Sequence, residues 1–203
     1  MPRDEFLTEG AGVFIQGGDF QNSDGTGGYA SGFYGYITTG MKLIGQSSGA
    51  IATVSNIRPT SRGFVNITNK DSRIYAKVKL NYLSTQHDRM IAAKGLKLTR
   101  KIIMESETFK KYRPEEYRPG ININDDEELV KAGSDYAQTI FHPVGTCKMG
   151  QDDMAVVDET LKVKGLKNLR VIDASIMPNI TSGNTNAPTI MIAEKGADMI
   201  LRG

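Results

Sequence analysis

Apolar and polar positions recur along the middle of the chain at spacings that predict strands followed by a helix. Residues 63–68 alternate apolar and polar side chains as a half-buried strand does, and residues 78–83 predict a second strand. Residues 84–88 then lead into a helix that continues to about Ser106. Its apolar residues recur at roughly helical spacing: Met90, Ala93, Leu96, Ile102 and Ile103.

The C-terminal half predicts two more helices and a buried strand. Residues 124–128 (NDDEE) start a short acidic-capped helix, because carboxylates favour the positive N-terminal end of a helix. Residues 168–173 predict a buried strand, and residues 187–201 a closing helix with Pro188 tolerated in its first turn. We expect one apolar stripe of that helix to be core, namely Ile190, Ala193, Ala197 and Ile200.

Glycine density and overall composition bear on the local structure, the number of domains and the partners. Residues 1–58 are rich in glycine, which favours loops and short strands over helix. The chain has 203 residues, 39% of them hydrophobic, and a net charge of +2. This is enough for about one globular domain, and the near-neutral charge implies neither nucleic acid nor an acidic membrane as a partner. No apolar run approaches the ~18 residues of a membrane-spanning helix, and no secretory signal is visible.

Two short motifs near the N-terminus match known patterns without their usual context. Residues 25–30 fit the G-x-G-x-x-A dinucleotide pattern, but a polar stretch precedes them where a strand is needed. Residues 45–49 fit the G-x-S-x-G nucleophile elbow of hydrolases, with Ser47 as nucleophile and His142 downstream as base. Residues 50–57 predict a strand, however, whereas an elbow continues into a helix.

His142 is the stronger of the chain's two histidines as a candidate for chemistry. Pro143 and Gly145 break regular structure beside it, so its side chain is presented at the end of an element. A neutral imidazole near pH 7 can accept a hydroxyl proton. Cys147 does not complete a metal site with His142, since zinc needs three or four closely spaced ligands. We expect Cys147 to pack as a small apolar residue and His87 to be solvated or to cap a helix.

Residues 181–186 form a polar turn directly before the closing helix. Unpaired backbone N–H groups and the positive end of the helix dipole meet there, which suits an anion or an electron-rich ring edge. Thr185 or Asn186 could also simply cap the helix. Asp173, at the end of a predicted strand, could cap a turn or bind a cofactor hydroxyl, and its position alone favours neither.

These blocks together resemble the C-terminal region of glucose–methanol–choline oxidoreductases, flavoproteins that oxidise alcohols. The resemblance is carried by residues 142–150 (HPVGTCKMG), 156–158 (VVD), 169–175 (LRVIDAS) and 183–195 (GNTNAPTIMIAEK). It is strong across residues 134–201 and recognisable from Pro59, where residues 61–63 (SRG) and 81–83 (NYL) also fit. The fold it implies is α+β: a substrate-binding domain with an antiparallel sheet and helices, plus the C-terminal strand and helix of a FAD-binding α/β domain.

The resemblance also implies roles for individual residues. His142 matches the family's base, which takes the alcohol's hydroxyl proton as hydride leaves the substrate carbon for flavin N5. Asn184 matches the second catalytic position, a hydrogen-bond donor to the substrate oxygen. Asp173 and Ala174 match contacts to FAD, and Asn184, Thr185 and Asn186 lie along the flavin edge. No metal is implied.

The family's N-terminal phosphate-binding turn has no credible counterpart here, so we expect a fragment that is inactive alone. We divide it into a poorly defined segment, 1–58, and a C-terminal domain, 59–203, with a substrate-domain part (59–141) and an active-site part (142–203). The closing helix would then lack partners to bury it.

The implied partners are an alcohol, choline or sugar and the missing FAD-binding half, with no nucleic acid or membrane. The location stays open, and is extracellular if the full-length protein is secreted. Two alternatives remain: a serine hydrolase using Ser47 and His142, and a catalytically inert fragment or binding module.

Overall fold

A computed structural model describes residues 11–19, 37–43, 48–116 and 118–202, with side chains from residue 52 onwards. The chain forms two compact units that interleave along the sequence. The first unit contains the described residues up to Asn56 together with residues 83–140, and the second contains residues 57–82 and 141–203. The sequence had suggested a linear division instead.

The first unit is built on an antiparallel sheet of four strands. These are β1 (Ala11–Asp19), β2 (Ile37–Leu43), β3 (Ser48–Asn56) and β6 (Pro114–Glu116), in the spatial order β1-β3-β2-β6. Ala52 and Val54, two residues apart on β3, are both buried, as expected for side chains on one face of a strand. The antiparallel sheet that the resemblance implies is therefore confirmed.

Helix α1 (Gln86–Glu105) covers this sheet and matches the sequence prediction. Thr85 caps it by accepting a hydrogen bond from the Asp88 N–H at 3.2 Å. Its buried side chains include Ala93, Leu96 and Ile103. Gly95 allows α1 to approach β3 closely, since a Cβ there would lie 2.3 Å from Val54 Cγ1.

Two shorter helices follow α1 in the first unit. Helix α2 spans Glu107–Lys110 and helix α3 spans Asp126–Ser134. The Asp125 carboxylate caps α3 by accepting from the backbone N–H groups of Glu127 and Glu128, both at 3.0 Å. The acidic helix start predicted from residues 124–128 is therefore confirmed. Leu129 and Val130 of α3 join the core cluster that α1 contributes to.

A buried ion pair ties strand β6 to α1. Arg100 Nε donates to Glu116 Oε2 at 2.6 Å, and the Glu116 side chain is 0% exposed against 13% for Arg100. A second bond runs from Arg100 Nη2 to Glu116 Oε1 at 3.0 Å, so the pair is bidentate. The same carboxylate accepts the backbone N–H of Gly120, which holds the following turn.

Replacing Glu116 with glutamine should strongly destabilise the first unit. The substitution leaves the Arg100 charge buried without its counter-charge, which costs about 3–5 kcal/mol. Urea unfolding followed by circular dichroism would measure this loss. Glu107→Gln is the control, because its partner Lys110 forms an exposed pair worth at most about 1 kcal/mol. Equal unfolding midpoints for the two variants would contradict the assignment.

The second unit begins with a hairpin of strands β4 (Phe64–Asn66) and β5 (Lys77–Lys79). Both strands were predicted, but the half-burial was not found. Phe64 and Val65 are 40% and 48% exposed, and the other strand residues are exposed too. A two-stranded ribbon has no second layer to cover its faces.

The rest of the second unit surrounds an apolar cluster with little regular structure. A 3-10 turn spans Ala174–Ile176, and helix α4 spans Asn186–Leu201. The buried residues of the cluster come from the turn and from both sides of it: Val157, Leu161, Ile176, Met177 and Ile192. Residues 168–173, predicted as a strand, make one isolated antiparallel bridge between Lys162 and Arg170. A ladder needs a neighbouring strand, and the described residues pair with this segment only there.

Helix α4 matches its predicted range, but the predicted core stripe was wrong. Ile190 and Ile200 are 55% and 57% exposed. The side of the helix that packs inward carries Ile192 and Gly196. A Cβ on Gly196 would lie 2.5 Å from Ile172 Cγ2, so only glycine permits this close approach. In the described part of the chain, no helix is both long and apolar enough to cross a membrane.

The Asp158 side chain closes a turn within the second unit. Its Oδ1 accepts hydrogen bonds from the Thr160 hydroxyl at 2.7 Å and from the Lys162 backbone N–H at 3.0 Å. These bonds stabilise the ionised form and hold the pKa of the Asp158 carboxyl below its ordinary value of 3.8.

The lowered pKa of Asp158 predicts an acid-sensitive contribution to stability. The folded state binds fewer protons at this group than the unfolded state, so the contribution is present above pH 3.8. It is lost as the pH falls through the lowered pKa. Thermal unfolding of wild type and Asp158→Asn between about pH 6 and pH 3 should give melting temperatures that converge towards acid. A constant difference across this range would contradict the prediction.

Candidate active site around His142

The His142 loop is attached to the 3-10 turn by backbone hydrogen bonds. Cys147 N donates to Ser175 O at 3.0 Å, and Met149 N donates to Ile176 O at 2.7 Å. Gly145 has a φ of +88°, and a Cβ there would lie 3.3 Å from Met177 O. A side chain at this position would therefore be strained as well as crowded.

Apolar contacts beneath the loop add to these hydrogen bonds. Val144 and Met149 pack against the same cluster that buries Ile176 and Ile192. The loop, the 3-10 turn and helix α4 therefore share one small core, although they lie far apart in sequence. This explains how sequence blocks that lie far apart along the chain come together at one site.

His142 contacts Thr185, the first residue before helix α4. Thr185 Oγ1 lies 2.9 Å from His142 Nδ1, at hydrogen-bond distance, and Thr185 is only 6% exposed. Thr185 occupies the N-cap position, yet its side chain makes no capping bond to the helix. The hydroxyl is directed to the imidazole instead, which corrects the expectation that Thr185 caps the helix.

The side chain of Asn184 supplies the hydrogen bond at the start of the helix. Its Oδ1 accepts the backbone N–H of Asn186 at 2.8 Å. This contact fixes the carboxamide, so its Nδ2 group is the end that can donate elsewhere. Asn184 and Asn186 are both exposed, and a Cβ on Gly183 would meet no atom within 4 Å. The helix start is therefore open to a ligand.

Asp173 and Ala174 lie in the turn that holds the His142 loop. Asp173 Oδ1 accepts the Ser175 backbone N–H at 2.8 Å and caps the 3-10 turn. The sequence left a capping role and a cofactor role equally open, and the capping role is observed. Asp173 is exposed, so its second carboxylate oxygen remains accessible.

Two arginines attach the loop before α4 to the segment before the β4–β5 hairpin, a contact that the sequence did not predict. Arg58 Nε donates to Ser182 Oγ at 2.8 Å, and Arg62 Nη2 donates to Asn179 Oδ1 at 2.6 Å. The only signal in the sequence was the Ser-Arg-Gly match at residues 61–63.

The remaining candidates do not join this site among the described residues. Ser47 and residues 25–30 lie outside them. Strand β3 begins at Ser48, where a nucleophile elbow would need a helix. His87 belongs to the first turn of α1 in the other unit. Cys147 is half-buried, and no group of three or more His, Cys, Asp or Glu residues able to hold a metal occurs in the described ranges.

Comparison with known proteins agrees with this arrangement of residues. The sequence profile of the GMC oxidoreductases matches residues 59–193. The chain belongs to the GMC oxidoreductase family. An oxygen-dependent choline dehydrogenase of Pseudomonas savastanoi pv. phaseolicola is 48% identical over 155 residues, which are 76% of this chain and 27% of that protein.

Solved structures of GMC-like oxidoreductases share the fold. A pyridoxine 4-oxidase from Mesorbium loti superposes with a TM-score of 0.69 and 35% identity over 77% of this chain and 30% of its own. A formate oxidase of Aspergillus oryzae RIB40, from a structure that concerns modification of its FAD, gives a TM-score of 0.70 and 32% identity over 77% of this chain and 28% of its own. The chain thus spans about a quarter of the length of its relatives.

Removing the Arg62 side chain should make the loop that precedes helix α4 more mobile. Arg62→Ala deletes the bond to Asn179, and an exposed hydrogen bond of this kind is worth about 0.5–1.5 kcal/mol. Hydrogen exchange at residues 179–183 should therefore accelerate about two- to tenfold. Arg73→Ala is the matched control, since its partner Asp71 lies within the hairpin. Unchanged exchange at residues 179–183 would remove the role assigned to Arg62.

Proposed function

We propose that this chain is the C-terminal part of a FAD-dependent oxidoreductase that acts on CH–OH groups. The observation that carries the proposal is the contact between His142 and Thr185 at the N-terminus of α4, in a chain of the GMC family. It brings the proposed base, an amide donor and a helix start into one unit, although they come from separate sequence blocks. An alcohol, choline or sugar is the proposed substrate class.

The described residues fit one edge of a flavin and not the whole of FAD. The open start of α4 offers the positive end of the helix dipole, which favours an electron-rich ring edge. Asn184, Thr185 and Asn186 would line that edge, with Asp173 and Ala174 contributing from the 3-10 turn. No strand–glycine-turn–helix unit that could cradle the phosphates is found in the described ranges.

The chain's own residues would contribute proton transfer and orientation. The bound flavin would supply the redox chemistry by accepting hydride from the substrate carbon. His142 would take the substrate hydroxyl proton, so that the O–H bond breaks and an N–H bond forms on the imidazole. Asn184, held through its Oδ1, would donate from Nδ2 to the oxygen as negative charge develops there.

The exposed stripe of α4 supports the proposed partner. Ile190 and Ile200 are 55% and 57% exposed on a helix whose other side is buried, and Leu201 is 86% exposed. Contiguous apolar surface of this kind marks an interaction site. Since the matched residues make up only 27% of the choline dehydrogenase relative, we propose that the FAD-binding N-terminal half covers this stripe.

A chimera tests the proposed function directly. The matched C-terminal segment of the Pseudomonas choline dehydrogenase would be replaced by residues 59–203 of this chain, restoring a full-length protein. We expect bound flavin and oxidation of an alcohol. His142→Ala in the chimera should lower kcat/KM by about 10²–10⁴-fold, the usual range for a lost general base.

The flavin content of each variant distinguishes a loss of catalysis from a failure to fold or to bind flavin. His142→Ala should retain the visible absorbance of bound flavin, while His87→Ala, from the other unit, should change neither flavin content nor rate. A His142→Ala chimera that oxidises alcohols at the parent rate would disprove the base assignment. A chimera that folds and binds flavin but oxidises no alcohol would disprove the proposed reaction.

A further inference from the structure

The direction of the hydrogen bond between His142 and Thr185 decides whether the imidazole can act as a base. A neutral imidazole carries one N–H and one lone pair. If the Thr185 hydroxyl donated to Nδ1, then Nε2 would hold the proton and could not accept another. If Nδ1–H donates to Thr185 Oγ1, the lone pair lies on Nε2.

The start of α4 favours the second direction. A threonine at the N-cap position normally uses its oxygen to accept N–H groups of the first turn. Here Asn184 Oδ1 accepts the Asn186 N–H, and the Thr185 side chain makes no capping bond. The Thr185 hydroxyl oxygen therefore accepts no capping hydrogen bond from the helix. This oxygen lies 2.9 Å from His142 Nδ1.

Burial and branching make Thr185 a rigid support. Its side chain is only 6% exposed, and a β-branched residue has few χ1 rotamers. The backbone is fixed as well, because the Thr185 carbonyl accepts both the backbone N–H and the hydroxyl of Thr189, at 3.0 Å and 2.7 Å. The hydroxyl can therefore hold the imidazole ring in one orientation.

We propose that Thr185 is a positioning residue that fixes His142 as the Nδ1–H tautomer. The proposal rests on the function proposed above, and it assigns to Thr185 a task distinct from contact with a flavin. Thr185 Oγ1 accepts from Nδ1–H, and Nε2 is the basic nitrogen. Once Nε2 has taken the substrate proton, the same bond stabilises the imidazolium, since a hydrogen bond to a charged group is stronger than one between neutral groups.

The tautomer can be measured without any catalytic activity. The chain has two histidines, His142 and His87, so ¹⁵N-edited NMR of the full chain resolves both rings, and a His87→Gln variant assigns them. We expect Nδ1 to carry the proton in wild type and the two tautomers to mix in Thr185→Val. A wild-type ring protonated on Nε2 would overturn the proposal.

Kinetics of the chimera provide the second measurement. Thr185→Val keeps the branched shape and removes the hydroxyl, and should lower kcat about 10- to 100-fold with little change in KM. Thr185→Ser restores the hydroxyl and should recover the rate to within about threefold of wild type. Thr181→Val is the matched control, being an exposed threonine of the same loop.

The outcomes separate this inference from the function on which it rests. If His142→Ala lowers the rate but Thr185→Val does not, Thr185 has no positioning role, while the assignment of His142 as the base still stands. If serine does not rescue the valine variant, the effect comes from packing and the positioning role also fails. If His142→Ala leaves the rate unchanged, the proposed function fails, whatever the tautomer measured by NMR.

Discussion

Two backbone hydrogen bonds fasten the His142 loop to the 3-10 turn, and the candidate site depends on them. They run from Cys147 N to Ser175 O and from Met149 N to Ile176 O. Each is worth only about 0.5–1.5 kcal/mol net, but ordering a loop residue costs about 1–2 kcal/mol of backbone entropy. The apolar cluster under Val144 and Met149 supplies the rest. Without this combination, His142 would not stay near a helix that starts 44 residues later in the sequence.

Two glycines set how closely the parts of the second unit approach one another. A Cβ on Gly145 would lie 3.3 Å from Met177 O, and one on Gly196 would lie 2.5 Å from Ile172 Cγ2. Gly145 lets the His142 loop lie against the 3-10 turn. Gly196 lets α4 pack against Ile172, in the segment that precedes this turn. Glycine in a helix costs about 0.5–1 kcal/mol relative to alanine, and at Gly196 that cost is offset by closer packing. The start of α4 is thereby held in the unit that contains His142.

Local signals predicted the three longer helices, and long-range contacts escaped prediction. Helices α1 and α3 carry their own caps, Thr85 and Asp125, so nothing beyond their neighbours was needed to place them. Strand β6 was missed because its three residues pair with β2, about 70 residues away, within a connector rich in proline and tyrosine. The bond between Thr185 and His142 was missed for the same reason. A threonine before a helix has a local use as a cap, and no local pattern shows that its hydroxyl meets His142 instead.

The error in the core stripe of α4 has a different cause. The helix is apolar on two sides: Ile192 faces the cluster, while Ile190 and Ile200 are exposed. A helix that is apolar all round is typical of the core of a larger protein, and periodicity cannot tell which side is covered first. This chain spans 27% of the length of its choline dehydrogenase relative. The side that packs within the second unit is selected by Gly196, whose missing side chain lets Ile172 lie against the helix. The stripe chosen from hydrophobic spacing is therefore the side of α4 that packing within the second unit leaves uncovered.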